Sequence, residues 1–299
     1  MFNNILIIGC GLIGSSILKG SFDKKISKKI YVHEKSKKNI SFIKKTNKKI
    51  KLLSKLDRNV SDMDLIIICT HMSQYSSIIK KLQKFITSKN IITDTGSTKR
   101  NIINIINKNN KIKDIFIPSH PIAGSEVSGP KYGNKDLFKN KWCIILNNGN
   151  KKKIKKIEIF WKKLGSKIIF MNAIEHDKIF SITSHLPHLI AYNLVKTATD
   201  FQRKNKKKII KYSAGGLRDF SRTAASNEIM WRDIFFSNKD NIINSINIFI
   251  ENLNNFKNLI KKENNKNILK ILKDTKKVRR QIIELKQDIS KPNFGRDIF

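Results

Sequence analysis

Acidic residues, cysteines and long apolar runs are all scarce in this sequence. Asp and Glu total 23 against 61 Lys and Arg, which leaves a formal net charge of +38. No apolar run reaches the roughly 18 to 20 residues that a membrane span needs. The few cysteines are far apart and embedded in apolar runs, so neither a disulfide framework nor a zinc site is expected. We therefore expect a cytoplasmic protein whose only thiols are Cys10, Cys69 and Cys143.

The positive charge is spread over the whole chain. Lysines occur in every amphipathic segment together with many Asn and Ile residues, and this pattern indicates a sequence-wide bias rather than a nucleic-acid-binding patch. A basic protein that binds RNA or DNA is the remote alternative, and it predicts affinity that falls steeply with salt. The charge would in either case draw anionic small molecules to the surface.

The 299 residues are long enough for two domains. Predicted strands and helices alternate as far as residue 171, a pattern typical of an α/β domain with a doubly wound parallel sheet. Helical patterns alone follow. We predict a dinucleotide-binding domain at 1–171 and an all-helical substrate and dimerisation domain at 172–299, with a loosely packed tail at 290–299.

A glycine pattern follows the first predicted strand. Residues 9–14 read Gly-Cys-Gly-Leu-Ile-Gly and stand between an apolar strand and a helical pattern, the context that a Rossmann-type dinucleotide site requires. The first glycine permits a tight turn, the second lets backbone approach a pyrophosphate, and the third lets the helix pack on the strand. The candidate cofactor-binding residues in this turn are Gly9, Gly11, Leu12, Ile13 and Gly14.

Further cofactor contacts are predicted at the ends of two later strands. Glu34 ends the second predicted strand, where a carboxylate can accept both hydroxyls of the adenosine ribose and repel a 2′-phosphate. NAD is therefore favoured over NADP, although Lys35 and Lys37 could reach a phosphate. Thr70 and His71 follow a buried strand and are expected at the same edge of the sheet.

The polar segment 119–129 contains the leading candidate for proton chemistry. It reads Ser-His-Pro-Ile-Ala-Gly-Ser-Glu-Val-Ser-Gly and follows the apolar run 115–117, so we expect a loop beyond the carboxyl end of a strand, where ligands bind in such sheets. His120 would then face the cofactor. A buried histidine satisfied by the backbone of a Gly/Pro-rich turn is the alternative. Ser125 and Glu126 add a hydroxyl and a carboxylate to the segment.

A second polar segment, Thr-Asp-Thr-Gly-Ser-Thr-Lys at 93–99, follows another predicted strand. Ser97 is either a helix cap or a hydroxyl that faces a ligand. Lys99 is expected to be solvated.

Two histidines mark the first part of the helical region. His185 and His188 are three residues apart and share a face if the helix continues through Pro187. The third ligand and the general-base glutamate of a zincin motif are missing, so no metal site is expected.

A charged cluster lies further along, at 214–223. It contains Asp219 and Arg222, which could pair with each other, and Trp231 follows shortly after. Apolar positions at helical spacing between 242 and 272 exceed what one small domain needs, which suggests a homodimer interface.

Taken together, these segments resemble the prephenate/arogenate dehydrogenase family of tyrosine biosynthesis. The resemblance covers residues 9–234, and four of its five motifs are specific in combination. The matching stretches are GCGLIGSS at 9–16, TDTGSTK at 93–99, SHPIAGSEVSG at 119–129, SHLPH at 184–188 and GGLRDFSRTAASNEIMW at 215–231.

The resemblance implies NAD-dependent oxidative decarboxylation, in which a hydride leaves the ring carbon that bears the 4-hydroxyl and the ring carboxylate departs as carbon dioxide. The family's histidine that binds and deprotonates this hydroxyl falls on His120. The serine that orients it falls on Ser97, and the arginine that grips the ring carboxylate falls on Arg222. The other implied substrate-site residues are His188, His185, Ser125, Glu126, Trp231 and Asp219.

The resemblance leaves the substrate open between prephenate, which we favour, and arogenate. We also expect a monofunctional homodimer in which any inhibition by tyrosine acts at the active site.

Overall fold

Five parallel strands form the first sheet of the chain. The computed structural model describes residues 2–46 and 49–285. The strand order is β3-β2-β1-β4-β5, and every neighbouring pair is parallel. These strands are β1 (Phe2–Ile8), β2 (Ser27–His33), β3 (Lys51–Leu52), β4 (Leu65–Ile68) and β5 (Ile91–Asp94).

Three further strands form a second sheet in the order β6-β7-β8, namely β6 (Ser119–Pro121), β7 (Trp142–Leu146) and β8 (Lys167–Met171). β6 runs antiparallel to β7, and β8 runs parallel to it. The expectation that residue 120 lies in a loop is therefore wrong. His120 is the central residue of β6 and pairs with Ile144, because the backbone beside the apolar run finds hydrogen-bond partners on β7.

Helices cover most of the remaining described chain. After β8 the described residues contain helices and turns but no strand, which confirms the predicted fold class of an α/β region followed by a helical one. No described helix is long and apolar enough to cross a bilayer. The helices are α1 (Leu12–Asp23), α2 (Lys37–Thr46), α3 (Tyr75–Leu82), α4 (Arg100–Ile106), α5 (Asn110–Lys113), α6 (Lys151–Lys163), α7 (Ala173–Phe180), α8 (Leu186–Asn205), α9 (Gly215–Thr223), α10 (Glu228–Ser237), α11 (Lys239–Lys261) and α12 (Asn265–Glu284).

Both faces of the parallel sheet are buried, as β1 shows. Ile5 and Ile7 belong to an apolar cluster that includes Ile17 of α1. The alternate residues Leu6 and Ile8 belong to a second cluster that includes helix α3. Because successive side chains of a strand point to opposite faces, the near-continuous apolar composition of β1 follows from helices covering both sides.

The chain divides into two compact units, the first ending at Ile242 and the second beginning at Ile243. All the candidate site residues lie in the first unit. The predicted domain boundary at 171/172 remains a prediction, and the expected loose tail at 290–299 lies outside the described residues.

The glycine turn, residues 9–14, connects β1 to α1. Gly9 has φ +86°, a conformation that residues with a side chain rarely adopt. A Cβ on Gly14 would lie 2.1 Å from the carbonyl oxygen of Gly9, whereas a Cβ on Gly11 would meet no atom within 4 Å. The turn therefore has no room for a side chain at Gly9 or Gly14, where the helix packs on the strand, and has open space at Gly11.

A buried ion pair fixes the segment after β5. Lys99 Nζ lies 2.6 Å from Asp94 Oδ2, and both side chains are fully buried. The expectation that Lys99 is solvated is therefore wrong. The same carboxylate also accepts hydrogen bonds from the backbone N–H groups of Gly96 and Ser119 and from the hydroxyl of Tyr75. These contacts hold the 93–99 segment against the start of β6.

The glycine turn yields a stability prediction. Gly14→Ala should lower the free energy of unfolding by about 1–3 kcal/mol, because the new methyl group can be accommodated only by moving backbone. Gly11→Ala is the matched control, since its methyl group has room. Ala is a poorer N-cap than Gly, which costs under about 1 kcal/mol of stability. Ala also lowers the conformational entropy of the unfolded chain, which stabilises the protein by under about 1 kcal/mol and so opposes the first effect. Urea unfolding of the protein alone measures both, and equal losses would contradict the steric argument.

The buried ion pair yields a second prediction. Lys99→Met should lower the free energy of unfolding by about 3–5 kcal/mol, since it leaves a buried carboxylate without its cation. Lys162→Met is the control, because the Lys162–Glu158 pair has its lysine 57% exposed and such pairs contribute about 1 kcal/mol or less. Chemical denaturation should separate the two variants, and similar midpoints would show that the buried pair is not important for stability.

Candidate active site

His120 lies among aromatic and ionisable groups at the start of the second sheet. Its Nδ1 atom is 2.8 Å from Nε2 of His176, and its ring meets Phe180 edge-on at a centroid distance of 5.1 Å. Burial, with the nearby His176 and Lys99 adding to it, holds the pKa of His120 well below the ordinary value. The imidazole is therefore neutral at physiological pH and able to accept a proton.

Two residues that sequence reasoning missed lie directly behind His120. His176 and Asp177 are both fully buried, and His176 Nδ1 lies 2.8 Å from Asp177 Oδ1. The Asp177 carboxylate also accepts the backbone N–H groups of Lys99 at 2.7 Å and Arg100 at 2.9 Å. The sequence signal was an adjacent His-Asp pair at the start of the helical region, with nothing in its spacing to connect it to residue 120.

Ser97 lies in the segment between β5 and α4 and is partly buried. Helix α4 begins at Arg100 and its N-cap is Lys99, so Ser97 is not the residue that caps this helix. Its other interpretation, a hydroxyl that faces a ligand, remains a prediction.

The two histidines of the helical region both contact Trp231. His188 stacks on the indole with ring centroids 3.8 Å apart, and His185 meets it edge-on at 6.2 Å. His185 Nδ1 accepts a hydrogen bond from Asn238 Nδ2 at 3.1 Å, and burial lowers the pKa of His185 to about 4. The helix continues through Pro187, since a π-helical turn at Ser181–His185 leads directly into α8.

Arg222 of α9 is joined to the segment that begins with β6. Its guanidinium lies 3.3 Å from the carboxylate of Glu126, and the arginine side chain is 54% exposed. Arg222 also contributes to lowering the pKa of His188, after burial of that histidine. In the same neighbourhood, Ser125 is exposed and Asp219 is partly buried on α9.

These contacts form one continuous group. His120 bonds to His176 and through it to Asp177, whose backbone carbonyl oxygen accepts a hydrogen bond from Asn238. Asn238 also donates to His185. His185 contacts Trp231, and Trp231 stacks on His188. The group contains a neutral base, a guanidinium and aromatic surfaces, which together suit an anionic cyclic substrate from which a proton must be removed.

The glycine turn and the end of β2 fit the adenosine half of a dinucleotide. The Cys10 N–H donates to Glu34 Oε2 at 2.8 Å, and the N–H groups of Lys35 and Ser36 donate to Oε1. This fixes the carboxylate beside the turn. The first turn of α1, which includes Leu12 and Ile13, follows N-cap Gly11 without a side-chain cap, so its N–H groups are available to a phosphate.

Thr70 lies against the glycine turn at the end of β4. Its Cγ2 atom would be 2.8 Å from a Cβ placed on Gly9. His71, the next residue, is the N-cap of the 3-10 turn Met72–Gln74. Both predicted residues thus lie at the carboxyl edge of the parallel sheet.

Comparison with known proteins gives two family matches that together cover most of the chain. Residues 22–170 match the nucleotide-binding domain of prephenate dehydrogenase, and residues 172–274 match its dimerization domain. Cyclohexadienyl dehydrogenase of Zymomonas mobilis is 30% identical over 281 residues, which are 93% of this chain and 96% of that protein. Prephenate dehydrogenase of Lactococcus lactis is 30% identical over 97% of this chain and 80% of its own length.

Solved structures agree with these matches. The prephenate dehydrogenase of Aquifex aeolicus, in complex with hydroxyphenyl propionate and NAD+, has a TM-score of 0.88 and 31% identity. The alignment covers 94% of this chain and 99% of that one. Because the two family matches and these relatives cover nearly its whole length, this chain belongs to the prephenate dehydrogenase family.

Proposed function

We propose that this protein is an NAD-dependent prephenate dehydrogenase that forms 4-hydroxyphenylpyruvate and carbon dioxide in tyrosine biosynthesis. The observation that carries the proposal is the Arg222–Glu126 contact. It connects a carboxylate-binding guanidinium from α9 to the segment that contains the neutral imidazole of His120. One small cyclic diacid could meet both groups.

Each residue of the site has a definite task in this reaction. His120 accepts the proton of the 4-hydroxyl as its oxygen becomes a carbonyl, and it returns the proton to this oxygen when loss of carbon dioxide forms the phenol. Ser97 orients the hydroxyl. Arg222 holds the ring carboxylate, for which its planar fork of donors is suited. Formation of an aromatic ring drives loss of carbon dioxide, so the protein mainly orients the ring and removes the proton.

The cofactor proposal rests on the glycine turn and on Glu34. When bound, NAD would accept the hydride from the ring carbon that bears the hydroxyl. Gly11 leaves room for the pyrophosphate, and the fixed Glu34 carboxylate disfavours a 2′-phosphate, which supports NAD over NADP. The solved Aquifex relative contains NAD+.

The polar groups around Trp231 favour prephenate as the substrate. The indole N–H of Trp231 is buried and has no hydrogen-bond partner within the described chain, so it offers a donor to a ligand. The Glu126 carboxylate is already paired with Arg222. A hydrogen-bond donor such as the Trp231 N–H suits the keto group and the carboxylates of prephenate, which accept hydrogen bonds, better than the ammonium group of arogenate, which donates them. Arogenate, or both substrates, is the second candidate because one relative is a cyclohexadienyl dehydrogenase.

We also propose a homodimer formed by the helices of a domain that begins after residue 171. The match of 172–274 to a dimerization domain supports it, as do the apolar side chains exposed on α11 and α12. The most exposed of these are Ile243, Ile248, Ile250, Leu253, Ile260, Leu269, Leu272 and Val278.

An assay of the purified protein with each substrate and each cofactor tests the function. We expect NADH formation with prephenate and NAD at a kcat/KM well above that of any other combination. If arogenate gives the higher kcat/KM, the second candidate is correct. No reduced cofactor in any combination would refute both.

Removing the base should affect turnover rather than binding. His120→Asn is expected to lower kcat by about 10²- to 10⁴-fold with little change in KM, as loss of general-base catalysis does. In the unaltered protein the acid limb of kcat/KM should lie below pH 6.5, because burial lowers the pKa of His120 and keeps it unprotonated to lower pH. Steady-state kinetics across pH measures both, and full turnover in His120→Asn would exclude this residue as the base.

Removing the guanidinium should mainly weaken binding. Arg222→Ala is expected to raise KM for prephenate by about 10- to 100-fold or more, in line with loss of charged hydrogen bonds. Arg222→Lys should recover only part, since an ammonium group cannot bind a carboxylate bidentately. Arg203→Ala, at the exposed end of α8, is the control for loss of one positive charge. An equal rise in KM for the control would point to general electrostatic attraction instead.

A further inference from the structure

Three buried or partly buried side chains form a hydrogen-bonded line behind the reacting edge of His120. The line runs from His120 Nδ1 to His176 Nε2 and from His176 Nδ1 to Asp177 Oδ1, with both distances 2.8 Å. Phe180 packs on both histidine rings, but its side chain has no hydrogen-bonding group.

The far end of the line is anchored to backbone. Asp177 Oδ1 accepts the N–H of Lys99, and Oδ2 accepts the N–H of Arg100. Both oxygens therefore act as acceptors, and the carboxylate cannot rotate without losing a bond at the beginning of α4. The direction of the remaining bonds follows from this anchor.

The protons along the line can be placed one at a time. Because Asp177 accepts, the proton between it and His176 belongs to His176 Nδ1. Burial lowers the pKa of His176, so its imidazole is neutral and has one protonated nitrogen. His176 Nε2 is therefore an acceptor, and the proton between the two rings belongs to His120 Nδ1. His120 Nε2 is then left with a lone pair.

We propose that His176, anchored by Asp177, is a positioning residue that holds His120 in the Nδ1–H tautomer and so keeps Nε2 ready to take the substrate's hydroxyl proton. The proposal deepens the proposed function and rests on it for its kinetic consequence. His176 also continues to accept the Nδ1–H bond once His120 is protonated, so the imidazolium formed during the reaction keeps its partner.

The tautomer can be measured without substrate. In protein labelled with ¹⁵N-histidine, long-range ¹H–¹⁵N spectra at neutral pH distinguish protonated from bare ring nitrogens, and the His120→Asn variant assigns the signal. We expect His120 to show a protonated Nδ1 and a bare Nε2. A protonated Nε2 in the unaltered protein would overturn the proposal.

Two variants test the consequence for catalysis. His176→Phe keeps a ring but removes the acceptor, so we expect mixed tautomers at His120 and a kcat lower by about 10- to 100-fold with KM little changed. This loss of kcat is smaller than the roughly 10⁴-fold loss in a serine protease whose catalytic histidine is held in the wrong tautomer. His176→Gln retains an acceptor oxygen and should restore the Nδ1–H tautomer and most of kcat.

Each outcome bears on one of the two proposals. An unaltered kcat in His176→Phe, or equal losses in the Phe and Gln variants with both folded by circular dichroism, would show that His176 does not act through the tautomer. If His176→Phe does not fold, the His120 tautomer in the unaltered protein and the tautomer and kcat of His176→Gln still test the positioning role of His176. A protein inactive on both substrates refutes the proposed function, while the tautomer spectrum continues to test the hydrogen-bonded line.

Discussion

The arrangement of the site depends on the hydrogen bonds that the buried carboxylate of Asp177 accepts. It accepts the first backbone N–H groups of the helix that follows the parallel sheet, and it accepts a hydrogen bond from the histidine that contacts His120. A fully buried carboxylate must keep its donors, because each unsatisfied bond to a buried charge is costly. Asp177 of α7 therefore connects the start of α4 to the histidine pair that contains His120.

A second buried carboxylate fixes the 93–99 segment against the start of β6. Asp94 pairs with Lys99 and accepts the backbone N–H of Ser119, the residue before His120. The 93–99 segment thus has its two ends fixed, and Ser97 lies between them. Rigid placement of this kind is what a proton transfer needs, since a displacement of about 1 Å can cost 10²-fold in rate. The Arg222–Glu126 pair, in contrast, is partly exposed to solvent.

Local pattern is sufficient to predict the fold class and insufficient for the interior of the site. The predicted alternation of strands and helices as far as residue 171 agrees with β8, which is the last described strand and ends at Met171, because each strand can be recognised from its own residues. His120 was wrongly placed in a loop, since its strand pairing depends on β7. Lys99 was wrongly expected in solvent, since its partner is found only once the segment folds back. His176 lies 56 positions from His120, a tertiary contact that no periodicity reveals.

A crystal structure of the protein with NAD and 4-hydroxyphenylpyruvate would show directly whether His120 and Arg222 meet one substrate. We expect the phenolic oxygen within about 2.6–3.2 Å of His120 Nε2, the reach of a hydrogen bond to a general base, with the ring between this histidine and Arg222. A product bound with its hydroxyl away from His120, or with His120 and Arg222 facing different cavities, would show that the two residues do not act on the same molecule.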